Sequence, residues 1–128
     1  MIDLKNGNIV FDNGFVLSSK LAFEDFKNSQ YYNGQQTGMI IDIDDIVVLS
    51  GEKFYLSVIF DADRLRKVFL MIHDPSVIDY SDEPKRKLLH DKFLKSIGVQ
   101  SEMKYDWGSI GSYYDEKGAG NYIIIVYK

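Results

Sequence analysis

The feature that most constrains this fold is a pair of alternating segments in the middle of the chain, joined by a short polar turn. In residues 53–60 the apolar side chains fall at every second position, and residues 66–73 repeat the pattern. A period of two is typical of β-strands, whose successive side chains point to opposite faces. Because residues 61–64 leave no room for a crossover, the strands are predicted to pair antiparallel. The inward residues are predicted to be Phe54, Leu56, Val58 and Phe60 in the first strand, and Val68, Leu70 and Ile72 in the second.

The residues before this pair predict another hairpin, a short helix and a further strand. Residues 8–11 and 15–18 flank Asn13 and Gly14, which suit a type I′ turn. Either Ser18 or Ser19 is expected to cap a helix over residues 20–28. Residues 39–50 predict a strand that contains a bulge. Its inward residues are expected to be Met39, Ile41 and Ile43 before the bulge, and Ile46 and Val48 after it.

The second helix has signals at both ends. Ser81 or Asp82 is predicted to cap it, Pro84 suits its first turn, and Gly98 is predicted to end it. Acidic residues precede basic residues by four positions, which is the favourable order on a helix. These pairs are Asp82–Arg86, Glu83–Lys87 and Asp91–Lys95, and the predicted buried stripe is Leu89, Phe93, Leu94 and Ile97.

The remaining residues predict a third hairpin, which completes the order of elements. Its strands cover residues 105–114 and 121–128, and its turn covers residues 115–120. The order is therefore ββαβββαββ, a mainly antiparallel sheet with two helices on one face, which belongs to the α+β class. At 128 residues the chain has the usual length of one domain, residues 1–128.

Composition excludes several classes of function. The chain has no cysteine, which excludes disulfides, thiolate metal sites and a cysteine nucleophile. The first residues lack a signal sequence, and no apolar run approaches the roughly 20 residues that span a bilayer. We therefore expect a cytoplasmic protein that does not contact membrane. The net charge of −4 disfavours binding to nucleic acid, which requires an excess of lysine and arginine.

The polar residues form no recognisable catalytic or metal-binding motif. Asp42, Asp44 and Asp45 are close in sequence but lack the glycine-bearing loop of a calcium site, so a solvated strand face is the preferred interpretation. The two histidines, His73 and His90, lack metal-ligand spacing. The serines at positions 109 and 112 lie in a predicted strand without the turn that exposes a catalytic serine. We therefore predict no catalytic residue, metal or cofactor.

The tyrosines indicate a binding function instead. Tyrosine is enriched in protein–protein interfaces, and several of the nine tyrosines fall in predicted loops or strand ends. Those tyrosines are Tyr31, Tyr32, Tyr80, Tyr105, Tyr113 and Tyr114. The predicted contacts with a partner are Asp42, Asp44, Tyr31, Tyr32, Tyr113 and Tyr114. Stacking of nucleic-acid bases on these rings is a poorer fit, because no basic groove accompanies them.

The C-terminal hairpin carries a resemblance to known proteins. Residues 107–118 read WGSIGSYYDEKG, and residues 123–127 read IIIVY. This ending resembles that of a loose group of small bacterial proteins, some of which are similar to the immunity proteins encoded beside polymorphic toxins. The likeness covers about the last quarter of the chain, with a vaguer match over residues 54–70. It implies a hairpin fold and carries no catalytic or binding residue over to this sequence.

Three hypotheses about function follow. The first is a non-catalytic protein-binding module, of the immunity-protein type, that masks a basic toxin domain. The second is a small enzyme or ligand-binding domain with a pocket around His90 and a carboxylate within hydrogen-bond reach. The third is a self-associating structural protein with a flat apolar patch. Neither the oligomeric state nor the identity of a partner follows from the sequence.

Overall fold

The computed structural model describes residues 1–77, 82–116 and 120–128. Within these ranges the chain forms ten strands and two helices, and every strand pair is antiparallel, so the predicted α+β class and the order of elements are confirmed. The strands are β1 Ile2–Asp3, β2 Asn8–Val10, β3 Val16–Leu17, β4 Ile40–Asp42, β5 Val47–Leu49, β6 Glu52–Asp61, β7 Arg64–Ile72, β8 Glu102–Tyr105, β9 Gly108–Asp115 and β10 Gly120–Tyr127. The helices are α1 Phe23–Lys27 and α2 Glu83–Ser96.

The strands form a small sheet and a large sheet. The small sheet contains β1, β2 and β3 in that order. In the large sheet the order is β4-β6-β7-β10-β9-β8, and β5 pairs with β6 next to β4. The predicted hairpin of β6 and β7 therefore lies near the centre, where β7 also pairs with β10.

The predicted strand over residues 39–50 is interrupted. The Ile43 amide donates to the Leu56 carbonyl at 2.9 Å, whereas the next pair along the two strands is Val47 with Phe54. Between these two pairs, the segment that joins β4 to β5 has two more residues than β6. An even number of extra residues leaves the alternation of inward and outward side chains unchanged. As a result Val47 and Leu49 are buried, so the prediction that Ile46 and Val48 point inward is wrong: Ile46 is 43% exposed and Val48 is half-buried. Met39, also predicted inward, is 63% exposed.

The first hairpin and the first helix also differ in detail from the prediction. Gly14 has a positive φ and Asn13 does not, so the turn is a three-residue loop rather than a type I′ turn. The helix α1 begins after Ala22, without a side-chain cap, so the expected serine caps at positions 18 and 19 are wrong. The reason is that residues 21–23 bond to the β6–β7 turn: the Phe23 amide donates to the Asp63 carbonyl at 3.1 Å.

The second helix begins and ends close to the predicted positions. Asp82 is its N-cap residue, although its side chain makes no capping hydrogen bond, and Ser81 lies outside the described residues. Gly98 follows the helix with a φ of +96°, the left-handed conformation that ends many helices. Two of the predicted acidic residues pair with other partners than expected: Glu83 pairs with Arg86 rather than Lys87, and Asp91 pairs with Lys87 rather than Lys95. In the predicted stripe Phe93 and Leu94 are buried, Leu89 and Ile97 are half-buried, and Arg86 and His90 are buried beside them.

Both helices pack on the same hydrophobic core, as predicted. In α1 the ring of Phe26 lies 5.4 Å from that of Phe60, and in α2 the ring of Phe93 lies 4.8 Å from that of Phe54. The small sheet joins this core through Tyr127, whose hydroxyl donates to the Gly7 carbonyl at 2.7 Å. Among the described residues, neither helix is long and apolar enough to cross a bilayer.

Candidate protein-binding face

The three central strands of the large sheet, β6, β7 and β10, have one buried face and one open face. The buried face carries Phe54, Leu56, Val58, Val68, Leu70, Ile72, Ile123, Ile125 and Tyr127, all of them buried. The opposite positions, which we call the open face, carry Tyr55, Ser57, Ile59, Lys67, Phe69, Met71, Tyr122, Ile124 and Val126, none of them buried. A sheet with one solvated face normally alternates apolar and polar residues. Here the open face is mainly apolar as well.

The pairing of the strands makes the open face continuous. Ser57 pairs with Phe69, and Phe69 pairs with Ile124 on the next strand. The rings of Phe69 and Tyr122 meet edge to face with their centroids 5.9 Å apart. Met71 pairs with Tyr55, which is 40% exposed. These side chains form one aromatic and aliphatic band across three strands.

A cavity of about 710 Å³ opens on this face. Phe69, Tyr122 and Ile59 line it from the central strands, and Asp42 lines it from β4. A second cavity of about 260 Å³ shares Asp42, Phe69 and Tyr122 with the first. The open face is therefore a groove with an apolar floor and a carboxylate at its border.

Asp42 is fixed at this border by two hydrogen bonds. The Ser57 hydroxyl donates to the Asp42 Oδ1 atom at 2.6 Å, and the Gln35 side chain donates to the Asp42 carbonyl at 2.9 Å. Asp42 remains exposed. The structure therefore places this predicted contact residue where a partner can reach it, in a defined orientation.

Asp44, the other predicted acidic contact, lies apart from the groove. It belongs to the irregular residues between β4 and β5, is exposed, and accepts a hydrogen bond from the Asn33 side chain at 2.9 Å. The cavities on the open face are lined by Asp42 and not by Asp44. Among the described residues, no three histidine, aspartate or glutamate side chains come together as a metal site would require.

Two of the predicted tyrosine contacts pack wholly or partly against the aromatic core. Tyr31 is only 8% exposed, and its ring packs against Phe11 and Phe15, so the structure does not place this predicted contact at the surface. Tyr32 is half-buried and packs against Phe23. The cause is the short helix α1, which ends before these tyrosines and lets the chain fold back onto the aromatic core. Tyr80 lies outside the described residues.

The other two predicted tyrosines point to opposite faces of β9. Tyr113 pairs with Tyr122 and so lies on the side of the open face. Its ring covers Gly111, where an added Cβ atom would lie 2.6 Å from the Tyr113 hydroxyl. Burial and a hydrogen bond to the Glu102 carboxylate raise the pKa of Tyr113 to about 12, so it is neutral at physiological pH. Tyr114 is 63% exposed but pairs with Asn121, on the other side of the sheet.

His90 belongs to a buried hydrogen-bond network rather than to an accessible site. It is 0% exposed, the Ile72 amide donates to its Nε2 atom at 3.0 Å, and its Nδ1 atom lies 2.6 Å from the Asn121 Oδ1 atom. Burial lowers the pKa of His90 to about 4. Because both ring nitrogens have protein partners, a ligand could reach His90 only by displacing one of them.

The last hairpin shows a close approach of two backbones at Gly108 and a structural role for Ser112. A Cβ atom on Gly108 would lie 1.9 Å from the Val126 carbonyl oxygen, so the two backbones meet there. Ser112 donates to Asn121 Oδ1 at 3.1 Å, on the border of the buried network. Trp107 donates from its indole to the Leu4 carbonyl at 2.8 Å. Trp107 thus links this part of the large sheet to the segment that follows β1 in the small sheet.

Sequence reasoning missed the open face, although a signal was present. Residues 122–127 are apolar at every position, without the polar alternation of a strand that has one solvated face. Such a run indicates a strand with two apolar faces, and the structure buries only one of them.

Comparisons with protein-family models, curated protein sequences and solved structures found no match.

Proposed function

We propose that this chain is a non-catalytic protein-binding module, of the immunity-protein type, whose open face holds and masks a basic toxin domain. The observation that carries the proposal is the apolar composition of the open face. Monomeric proteins rarely leave a large contiguous apolar patch in water, and such patches commonly mark interaction sites. A partner that covered the band would remove its apolar surface from water, which stabilises a complex by roughly 25 cal/mol per Å² before the entropy of association is subtracted.

The aromatic residues of the open face suit this role. Phe69 and Tyr122 lie at its centre and contact each other edge to face. Central aromatic residues on a rigid strand contribute much of the binding energy in many interfaces, because little conformational entropy is lost when they are covered. The β-sheet thus presents Phe69 and Tyr122 in a fixed orientation for a partner. They take the role that the first hypothesis gave to Tyr31, which is buried.

The distribution of charge supports a basic partner. Residues 1–63 contain ten acidic and four basic side chains, whereas residues 64–128 contain nine acidic and eleven basic ones. The acidic excess therefore belongs to the half of the chain that supplies β4, α1 and the small sheet. An acidic surface accelerates association with a basic protein and favours it over acidic competitors.

The proposal is tested with the toxin domain encoded by the neighbouring gene. The two proteins are co-expressed, and growth and co-purification are measured for the original chain and for Phe69→Lys. A lysine at this position places a charge in the apolar band, so we expect a loss of protection and at least a tenfold weaker complex. Leu88→Lys is the matched control, because Leu88 is 69% exposed on α2 and lies away from the open face.

Two results would contradict the proposal. Protection by Phe69→Lys equal to that of the original chain would remove the open face from the interaction, and a gene with no toxin reading frame beside it would remove the immunity role. Sedimentation of the purified chain adds a further check. A stable dimer that Phe69→Lys dissociates would show that the open face binds a second copy, as the self-association hypothesis requires.

A further inference from the structure

The groove on the open face has acidic side chains that come from two separate elements. Asp42 reaches the cavity of about 710 Å³ from β4, whereas Asp115 and Glu116 reach it from the end of β9. Among the described residues that line this cavity, Lys67 is the only basic one. Three acidic residues and one lysine therefore line a cavity whose floor contains Phe69.

From this arrangement we infer that the groove recognises a cationic side chain, an arginine or a lysine, flanked by apolar residues in the partner. The inference rests on the proposed function and specifies the chemistry of the partner at the same site. The hydrocarbon stem of arginine or lysine can pack on Phe69 and Tyr122 while its charged end reaches a carboxylate. An aromatic face also attracts a cation directly.

The position of Asp42 makes it the strongest contributor among these carboxylates. Ser57 holds its Oδ1 atom at 2.6 Å, so the orientation of the carboxylate is set before a partner arrives. A hydrogen bond between a carboxylate and a guanidinium or ammonium group is about twice as strong as a neutral one. A pre-oriented acceptor loses little side-chain entropy on binding, which favours recognition of the cation.

The same charges argue against an acidic partner. An acidic segment would place its carboxylates near those of Asp42 and Glu116, on a surface where water is being removed, and like charges repel more strongly there. We therefore expect the sign of the partner's charge to decide whether it binds to the groove.

The inference is tested with two short peptides that differ only in charge. One alternates leucine with arginine, and the other alternates leucine with glutamate. Each is titrated into the ¹⁵N-labelled chain while amide chemical shifts are recorded. We expect the arginine peptide to shift the amides of Asp42, Ser57 and Glu116, with an affinity that falls as salt is added, and we expect the glutamate peptide to cause no shift.

A pair of charge-neutralising variants identifies the residue responsible. Asp42→Asn is expected to weaken binding of the arginine peptide by about tenfold, a factor typical of a lost charged hydrogen bond. Glu52→Gln removes the same charge from an exposed position at the start of β6, so it should leave the affinity within about twofold. Equal binding of both peptides, binding of neither, or equal affinities of the two variants would overturn the inference.

The result can be separated from that of the proposed function. If Phe69→Lys abolishes protection against the toxin domain while Asp42→Asn preserves it, the open face is the binding site and the role of the cation is wrong. If the arginine peptide binds in the groove while Phe69→Lys still protects, the groove recognises cations but the proposed masking of a toxin through this face is wrong.

Discussion

The imidazole of His90 and the side-chain amide of Asn121 meet in the core at 2.6 Å, although 31 positions separate them in the chain. Because the Ile72 amide donates to Nε2, the proton of the neutral ring is on Nδ1, which donates to the Asn121 oxygen. The backbone amide of Asn121 in turn donates a hydrogen bond to the Glu83 carboxylate at 2.6 Å. The network thereby joins α2 to β10 and β7, and it does so with His90 uncharged.

The neutral His90 makes the stability of the fold sensitive to acid. Burial lowers its pKa to about 4, from the ordinary value of 6.5 that it regains on unfolding. The unfolded chain therefore takes up a proton as the pH falls below 6.5, whereas the folded chain does so only near pH 4. We expect this difference to lower the free energy of unfolding by about 3 kcal/mol between pH 7 and pH 4.

Urea unfolding at pH 7, 6, 5 and 4 measures this effect. His90→Gln removes the titrating group, so its unfolding free energy should change less over this range than that of the original chain, even if it starts lower. His73→Gln is the control, because it removes the other histidine of the chain, which is exposed and does not belong to the buried network. Parallel pH profiles for His90→Gln and the original chain would contradict the assignment.

The His90 network also shows where sequence reasoning succeeded and where it stopped. Helical periodicity predicted the buried stripe of α2, beside which His90 lies, because positions three and four apart share a face. The same periodicity could not identify Asn121 as its partner, since that contact depends on how β10 is placed beside β7. Local patterns therefore predicted the elements, the hairpins and much of the core, but not long-range contacts between polar residues.

At the candidate site, too, local patterns predicted positions on a strand but not the packing between distant segments. Asp42 was predicted as a contact and lies on the border of the groove, because its position on a strand face follows from local alternation. Tyr31 was predicted as a contact from its loop-like sequence, but the fold packs it against Phe11. Phe69 was assigned to the face opposite Val68, yet nothing in the sequence showed that no helix would cover it.

The close approach of two backbones at Gly108 predicts a large difference between glycines. A Cβ atom there would lie 1.9 Å from the Val126 carbonyl oxygen, and the φ of +150° also disfavours other residues. Gly108→Ala must therefore separate β9 from β10, and we expect it to lower the unfolding free energy by about 3 kcal/mol. Gly34→Ala is the comparison, with a φ of +85° and no atom within 4 Å, and should lower it by only about 1 kcal/mol.

Chemical denaturation of the two glycine variants, analysed together, tests this prediction. The comparison separates steric overlap from backbone strain, because both substitutions place alanine at a positive φ but only one adds a clash. If Gly34→Ala proves as destabilising as Gly108→Ala, the contact between Gly108 and Val126 has no special role.

The turn between β6 and β7 offers a stabilising substitution. Ala62 has a φ of +50°, a conformation that is unfavourable for residues with a Cβ atom. Ala62→Gly relieves this strain, although glycine loses more backbone entropy on folding, and we expect a net gain of about 0.5–1 kcal/mol. Ala22→Gly is the control: with a φ of −80° it has no strain to relieve, so it should be destabilising. Thermal unfolding of both variants would contradict the prediction if their midpoints moved in the same direction.

Two adjacent isoleucines test the central observation, that the large sheet has one buried and one open face. Ile125 is 0% exposed and lies in the core, so Ile125→Thr should lower the unfolding free energy by about 3 kcal/mol, through lost packing and a buried hydroxyl group. Ile124 is half-buried on the open face, and threonine suits a strand equally well, so Ile124→Thr should lower it by less than about 1 kcal/mol. Urea unfolding of the two variants gives this comparison directly.

In the toxin-protection assay the order should reverse under conditions where both variants remain folded, because only Ile124→Thr removes apolar surface from the proposed interface. Equal destabilisation by the two substitutions would mean that Ile124 is covered within the monomer, and the open face would then be unavailable to any partner.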